Sequence, residues 1–189
     1  MPTPDNWSAG DPPRERRPWA GYLLIGVGVA VLVAAGFGAL VSRDDETPAP
    51  EIAAPIAAAI GDAATAAEPF PGLTETQLAV GEDCLRLVVV DILDERAQGL
   101  RRRSSLGPYD GMLFVFEGTS QSAFTMRGVP VPLDIGWYDE AGQPVDRAEM
   151  VPCPQERTDC PPYTSRGPYR FAVETLGGGL PGGGVSGCG

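Results

Sequence analysis

The chain contains no histidine and no lysine. Without histidine there is no Ser–His or Cys–His pair, no imidazole metal ligand and no imidazole acid–base group near neutral pH. Without lysine there is no Schiff base and no phosphate-loop ammonium. All 14 basic residues are therefore arginine, set against 25 acids for a formal net charge of −11. That balance, with a pI near 4.4, argues against nucleic acid, whose phosphates require a basic face. Nothing in the composition implies a cofactor or a bound metal. Glycine and proline are abundant, 25 and 20 of 189 residues, enough to expect long stretches outside any core. The runs Gly177-Gly178-Gly179 and Gly182-Gly183-Gly184 are not a phosphate loop, because no Lys-Ser/Thr follows them.

Residues 1–18 are polar and proline-rich, the composition of a disordered tail. Ala20 to Val41 then carries no charge. As a helix rising about 1.5 Å per residue it reaches about 33 Å, enough to cross a hydrocarbon core of about 30 Å. Trp19 and Tyr22 stand at one end, at headgroup level. Arg14, Arg16 and Arg17 precede the run; Arg43 alone follows, then Asp44, Asp45 and Glu46. Positive charge stays on the cytoplasmic side, so residues 19–42 are predicted to anchor the chain in the lipid bilayer with its N-terminus inside and the remainder outside. A cleaved signal peptide is the rival reading, but its apolar core is shorter, about 7–15 residues, and Leu40-Val41-Ser42-Arg43 is a poor cleavage site. Residues 43–72 are rich in Ala, Pro and acid and are expected to form a disordered spacer. Ile52, Ile56 and Ile60 recur every four residues, which allows a short helix over 56–67. The spacer reading prevails because the sequence offers no second apolar face for such a helix to pack on.

From residue 73 to 189 the pattern becomes alternation. Leu85, Leu87 and Val89 interleave with Arg86, Val88 and Val90, a strand. Asp94 stands as an N-cap before a short helix over 95–100. Gly107 to Gly111 is turn chemistry. Strands are predicted over 112–116, 122–127 and 131–138. A hairpin loop at 139–142 leads into another strand over 145–150, and Tyr169, Phe171 and Val173, alternating with Arg170, Ala172 and Glu174, form the last. Many strands, one or two short helices and no βαβ rhythm predict a mainly β domain, a small rolled antiparallel sheet or barrel.

Several of these segments together carry a resemblance. Glu95-Arg96-Ala97-Gln98-Gly99-Leu100, Arg103, Gly111-Met112-Leu113-Phe114-Val115-Phe116, Phe124-Thr125-Met126, Pro132-Leu133-Asp134-Ile135 and Tyr163 resemble, in order and spacing, the domain of unknown function family 192. The resemblance covers residues 85–176 and implies a β-rich bacterial or archaeal domain, often exported, with no agreed activity. This chain departs from the family pattern in three places. Thr125-Met126-Arg127-Gly128-Val129 stands where Trp-Met-Lys-Asn-Thr is usual, Arg101-Arg102-Arg103 replaces Met-Phe-Arg, and a Gly-rich tail replaces the closing elements.

Asp134 is the most pointed candidate residue. It is an acid between Leu133 and Ile135 in a strand, where Asp is depleted. Alternation sets it on the face opposite those neighbours. If buried it needs a partner: Arg103, Arg127, or hydroxyl or backbone donors. Glu95 fits first-turn charge on the short helix, and Arg103 ends an arginine run that could hold an anion but reads more simply as a solvated turn. Tyr163, after Cys160-Pro161-Pro162, is expected to pack in the core with its hydroxyl bonded. Asp134, Arg103, Glu95, Tyr163 and Arg127 are thus the candidate ligand-binding set, with no catalytic or metal site nominated. Asp134 with Glu95 is the one carboxylate pair that a hydrolase or glycan-acting enzyme could use. The leading reading is a non-enzymatic module that binds a small ligand or an envelope protein.

All four cysteines follow the span, on the side where thiols oxidise, so two disulfides are expected over a zinc site. Cys153 and Cys160 enclose a loop with no apolar residues of its own, which a local bridge would pin. That leaves Cys84, just before the first strand, with Cys188 in a flexible tail, and the ends of a compact domain tend to lie close together.

Overall fold

The computed structural model describes residues 51–189. The predicted tail, the predicted membrane span and the first part of the predicted spacer lie outside these residues. Among the described residues, no helix is long and apolar enough to cross a membrane. In chain order the elements are α1 (Ala54–Gly61), β1 (Ala64–Thr65), β2 (Thr74–Val80), β3 (Asp83–Val90), α2 (Leu93–Gln98), β4 (Gly111–Ser120), β5 (Phe124–Thr125), β6 (Leu133–Tyr138), β7 (Pro144–Met150), β8 (Pro162–Tyr163), β9 (Tyr169–Leu176) and β10 (Val185–Gly187).

The main sheet runs β1-β2-β3-β4-β9-β6-β7, with β10 also paired to β2, and β5 and β8 form a separate two-stranded ribbon. The sheet is open, not a barrel. Nor is it wholly antiparallel: β3 and β4 pair in parallel, Leu87 opposite Gly111 through Val90 opposite Phe114. A parallel pair requires a crossover, usually helical, and α2 lies in it. One six-residue helix sets no repeating rhythm, which is why this βαβ unit did not show in the sequence.

Alternation divides the strands between two cores. Val88, Val90, Met112, Phe114, Leu133, Ile135, Trp137 and Ala172 are buried on one face with Leu100, Met126 and Val129. Leu85, Leu87, Val89, Leu113, Phe171 and Val173 are buried on the other with Ile56, Leu180 and Val185. With both faces covered, the central strands β6 and β9 are buried almost throughout.

The spacer expected over 43–72 does not hold for residues 51–72, which belong to the fold. Ile56 is 1% exposed and packs with Leu78, Val80 and Val185. Thr76 Oγ1 donates to the Ala59 carbonyl at 2.5 Å, and the Ala53 N–H donates to the Glu140 carbonyl at 2.8 Å. Phe70, also 1% exposed, meets Tyr109 edge-to-face at 5.7 Å. The second apolar face that α1 needs is built by β2 and β10, two strands the sequence reading did not find. Two local assignments also change. Ile92 stands at the N-cap of α2, with Asp94 inside the first turn, and the strand expected over 122–127 shrinks to β5.

The disulfides join Cys84 to Cys188 and Cys153 to Cys160, separated by 104 and 7 residues in sequence, the pairing expected from the sequence. The longer bridge is prepared by pairing: Cys84 lies opposite Ala79, and Ala79 lies opposite Ser186.

Candidate functional site

β9 runs between β4 and β6, so a residue on it has strands on both sides. Glu174 lies opposite Met112 on β4 and opposite Ile135 on β6. All three share the face that α2 covers. Only 6% of Glu174 is exposed, and no hydrogen-bond or ion-pair partner for its carboxyl lies among the described residues. Burial disfavours the charged form and pushes this carboxyl up from 4.5 to about 8.

Glu174 lines a cavity of about 230 Å³ between α2, β4 and the segment around β5. Its walls include Ala97, Gly99, Leu100, Phe114, Phe116, Phe124 and Val129. The rings form an edge-to-face cluster, with Phe114 and Phe124 centroids 5.0 Å apart at 81° and Phe116 6.5 Å from Phe124 at 72°. Trp137 and Tyr169 back this cluster, 6.0 Å and 6.3 Å from Phe124. Gly99 ends α2 at φ 45°, and a Cβ there would lie 3.4 Å from the Phe114 ring. Glycine thus lets the chain turn, in the left-handed region, hard against the wall. Arg96 lies over Phe116 with its guanidinium carbon 5.0 Å from the ring centroid. Its Nη1 donates to the Val115 carbonyl at 2.9 Å and to the Asp91 carbonyl. Arg96 is therefore committed to main chain and ring, not to Glu174. At the mouth, Leu93 is 74% exposed and neighbouring Ile92 56%.

The residues nominated from sequence do not share one cleft. Asp134 is 5% exposed, and its Oδ2 accepts from the Gly178 N–H at 2.7 Å. Its partner is thus backbone in the glycine-rich tail, not Arg103 or Arg127. Glu95 and Arg103 do line one cleft, with Phe70 and Val90, but each is tied to structure. Glu95 Oε2 accepts from the Asp91 N–H at 3.3 Å. Arg103 Nη1 donates to the Pro69 carbonyl at 2.7 Å, and the guanidinium stacks 4.2 Å over Phe70. Tyr163, half-buried beside the core, accepts at its hydroxyl from the Val151 N–H at 3.0 Å. Arg127 is exposed, with Nε donating to the Gln155 carbonyl at 3.4 Å. Asp134 and Glu95 stand on opposite sides of the sheet, so the carboxylate pair has no common cleft. Among the described residues no cluster of Cys, Asp and Glu is placed to hold a metal ion.

Glu174 itself was missed. Alternation with Phe171 and Val173 assigns it to the other face, which an isolated strand would turn to water. Only the position of β9 within the sheet buries that face. A signal was nonetheless present. The segments Glu95–Leu100, Gly111–Phe116 and Phe124–Met126, which carried the family resemblance, are the segments that build the cavity.

The family model DUF192, described as Uncharacterized ACR, matches residues 76–185, more than half of the chain. The chain belongs to this family. A solved structure, of a protein of unknown function from Novosphingobium aromaticivorans, is 28% identical over 66% of this chain and 93% of its own, with a TM-score of 0.55. A second, from Sinorhizobium meliloti, is 23% identical over 59% of this chain and 90% of its own, with a TM-score of 0.50, a likeness of fold alone. No curated protein matches the chain.

Proposed function

We propose that this DUF192 member is a membrane-anchored, extracytoplasmic binding module without catalytic activity, whose cavity beneath α2 takes a small apolar group. The observation that carries the binding reading is the aromatic cavity with an unpartnered carboxyl in its wall. Pockets that bind small molecules are mostly apolar with a few placed polar groups, and a cavity of about 150 Å³ suffices for benzene. The compartment is supported by the uncharged run at 20–41, by the arginines before it, and by four cysteines that are all paired in disulfides. The occupant is a small ligand or a side chain of an envelope protein. A hydrolase built on Asp134 and Glu95 is set aside, because those carboxylates face different sides of the sheet.

The test is binding of 4-fluorobenzyl alcohol to the full chain in zwitterionic lipid nanodiscs, followed by fluorine NMR. Saturable broadening that weakens in Ala97→Trp, which sets a large ring on the α2 side of the cavity wall, supports the reading. Equal binding by Ala97→Trp, or no saturable binding, overturns it.

A further inference from the structure

We infer that the cavity recognises a primary alkylammonium group, with the ammonium on Glu174 and its carbon stem between Phe114, Phe116 and Phe124. This inference rests on the cavity being a binding site, as proposed above.

The charged side chains lining the cavity are Glu174, Arg96 and Arg101. The strands β4 and β5 contribute only apolar, aromatic and hydroxyl groups. Arg96 is held by two carbonyls and the Phe116 ring, and half-buried Arg101 lies on the turn after α2. Glu174 is the one of these charged groups that is both buried and without a hydrogen-bond partner, and an unsatisfied buried carboxyl is costly. An occupant that completes the site either donates a hydrogen bond to this carboxyl or accepts one from its protonated form. A neutral hydroxyl could do either, but a cation that draws the proton off Glu174 gains more, because charge-assisted bonds are the stronger ones.

The walls point the same way. Aromatic faces attract cations, and Phe116 already carries one guanidinium on its face. An anion would find Arg96 already bound to its carbonyls, which leaves Arg101 on the turn after α2 as the cation it could reach. A quaternary ammonium has no N–H to give the carboxyl, so the fit is to an amine that keeps its protons. Burial raises the Glu174 carboxyl to about 8, so ionising it at pH 7 lowers affinity only about tenfold, and the ammonium contact offsets that. The apolar mouth at Leu93 suits an alkyl or benzyl stem. Because the chain has no lysine, another copy cannot supply such a side chain. The source is either a small amine or a lysine of a different protein.

The experiment uses the full chain in zwitterionic nanodiscs at pH 7.5 with three probes of one shape: 4-fluorobenzylamine, 4-fluorobenzyl alcohol and 4-fluorobenzoate. The amine is expected to bind at least tenfold more tightly than the alcohol and the benzoate most weakly. Glu174→Gln should abolish the amine's advantage over the alcohol, and a cooperative denaturant transition shows that the variant is folded. Equal affinity for amine and alcohol, an advantage that survives Glu174→Gln, or preference for benzoate overturns the assignment while the cavity remains a binding site. If no probe binds saturably, or Ala97→Trp binds all three unchanged, the binding-site reading itself falls. Competition by a short lysine peptide, lost when its Nε is acetylated, identifies a protein lysine as the source. Competition by hexylamine but not by the peptide identifies a small amine.

Discussion

Glu174 is a carboxyl held where its charged form is poorly solvated, and this has a direct consequence for stability. In the unfolded chain it ionises near 4.5, whereas in the fold it keeps its proton until about 8. Below 4.5 both states are protonated and nothing is lost. Between 4.5 and 8 the folded state binds one more proton, so stability falls as pH rises, and above 8 the penalty is constant. Glu174→Gln should therefore match the natural protein at pH 4 and exceed it at pH 8.5 by on the order of a few kcal/mol. Denaturant midpoints at pH 4, 6 and 8.5 check this; parallel curves for the two proteins would contradict it. Asp134 behaves differently. It accepts one backbone bond, from Gly178, which is itself exposed. Asp134→Ala should cost about 1 kcal/mol, well below the roughly 3–5 kcal/mol expected for breaking a buried ion pair, and Asp134→Asn should cost less.

Among the elements, α1 is the clearest departure from the sequence reading and offers the sharpest test. Ile56→Ala should destabilise the domain by about 2–5 kcal/mol, the range for emptying a full core position. A helix lying loose on the surface would register less than about 0.5 kcal/mol. What the sequence disclosed depended on how far apart the partners lie. β3, β4, β6, β7 and β9 each carry their own alternation or apolar run, so they can be read one at a time. The apolar stripe of α1 is equally visible as Ile52, Ile56 and Ile60, but it has meaning only once β2 and β10 are placed beside it, and β10 is formed by residues 185–187. The two-residue strands β5 and β8 are too short to show any period. The site followed the same rule. The Phe114, Phe116 and Phe124 walls stood in recognisable segments, while burial of Glu174 depends on the order β4-β9-β6, which no local window contains. Asp134 stands out in the sequence as an acid in an apolar strand. Its partner, 44 residues on in the glycine tail, could not be read from the strand.

For the whole molecule, the packing of residues 51–72 moves the boundary of what a protease can reach. On the proposed topology, external protease should release a fragment beginning before residue 53, whose N–H is already bonded to Glu140. Cuts within 54–72 under native conditions, read by N-terminal sequencing, would contradict the packed α1. The two disulfides should also differ in weight. On the loop-closure model the bridge spanning 104 residues contributes about 4.7 kcal/mol and the bridge spanning 7 about 2.5 kcal/mol, both upper-side figures. Replacing the Cys84–Cys188 pair with serines should therefore lower the denaturant midpoint more than replacing Cys153–Cys160.

The Cys84–Cys188 bridge also decides how the domain bears load. A pull between residue 51 and residue 189 travels along the chain to Cys84, crosses the sulfur bridge to Cys188 and leaves. Residues 85–187 form a closed ring off that path, and the ring holds the cavity, α2 and every strand from β4 to β9. Tension can peel away α1, β1 and β2 but cannot draw out the ring. With the bridge closed, full extension is limited to on the order of 100 Å; with it reduced, the same pull unravels more than about 400 Å of chain. On the proposed anchoring, a domain tugged away from its membrane would surrender its tether-side elements and keep its pocket.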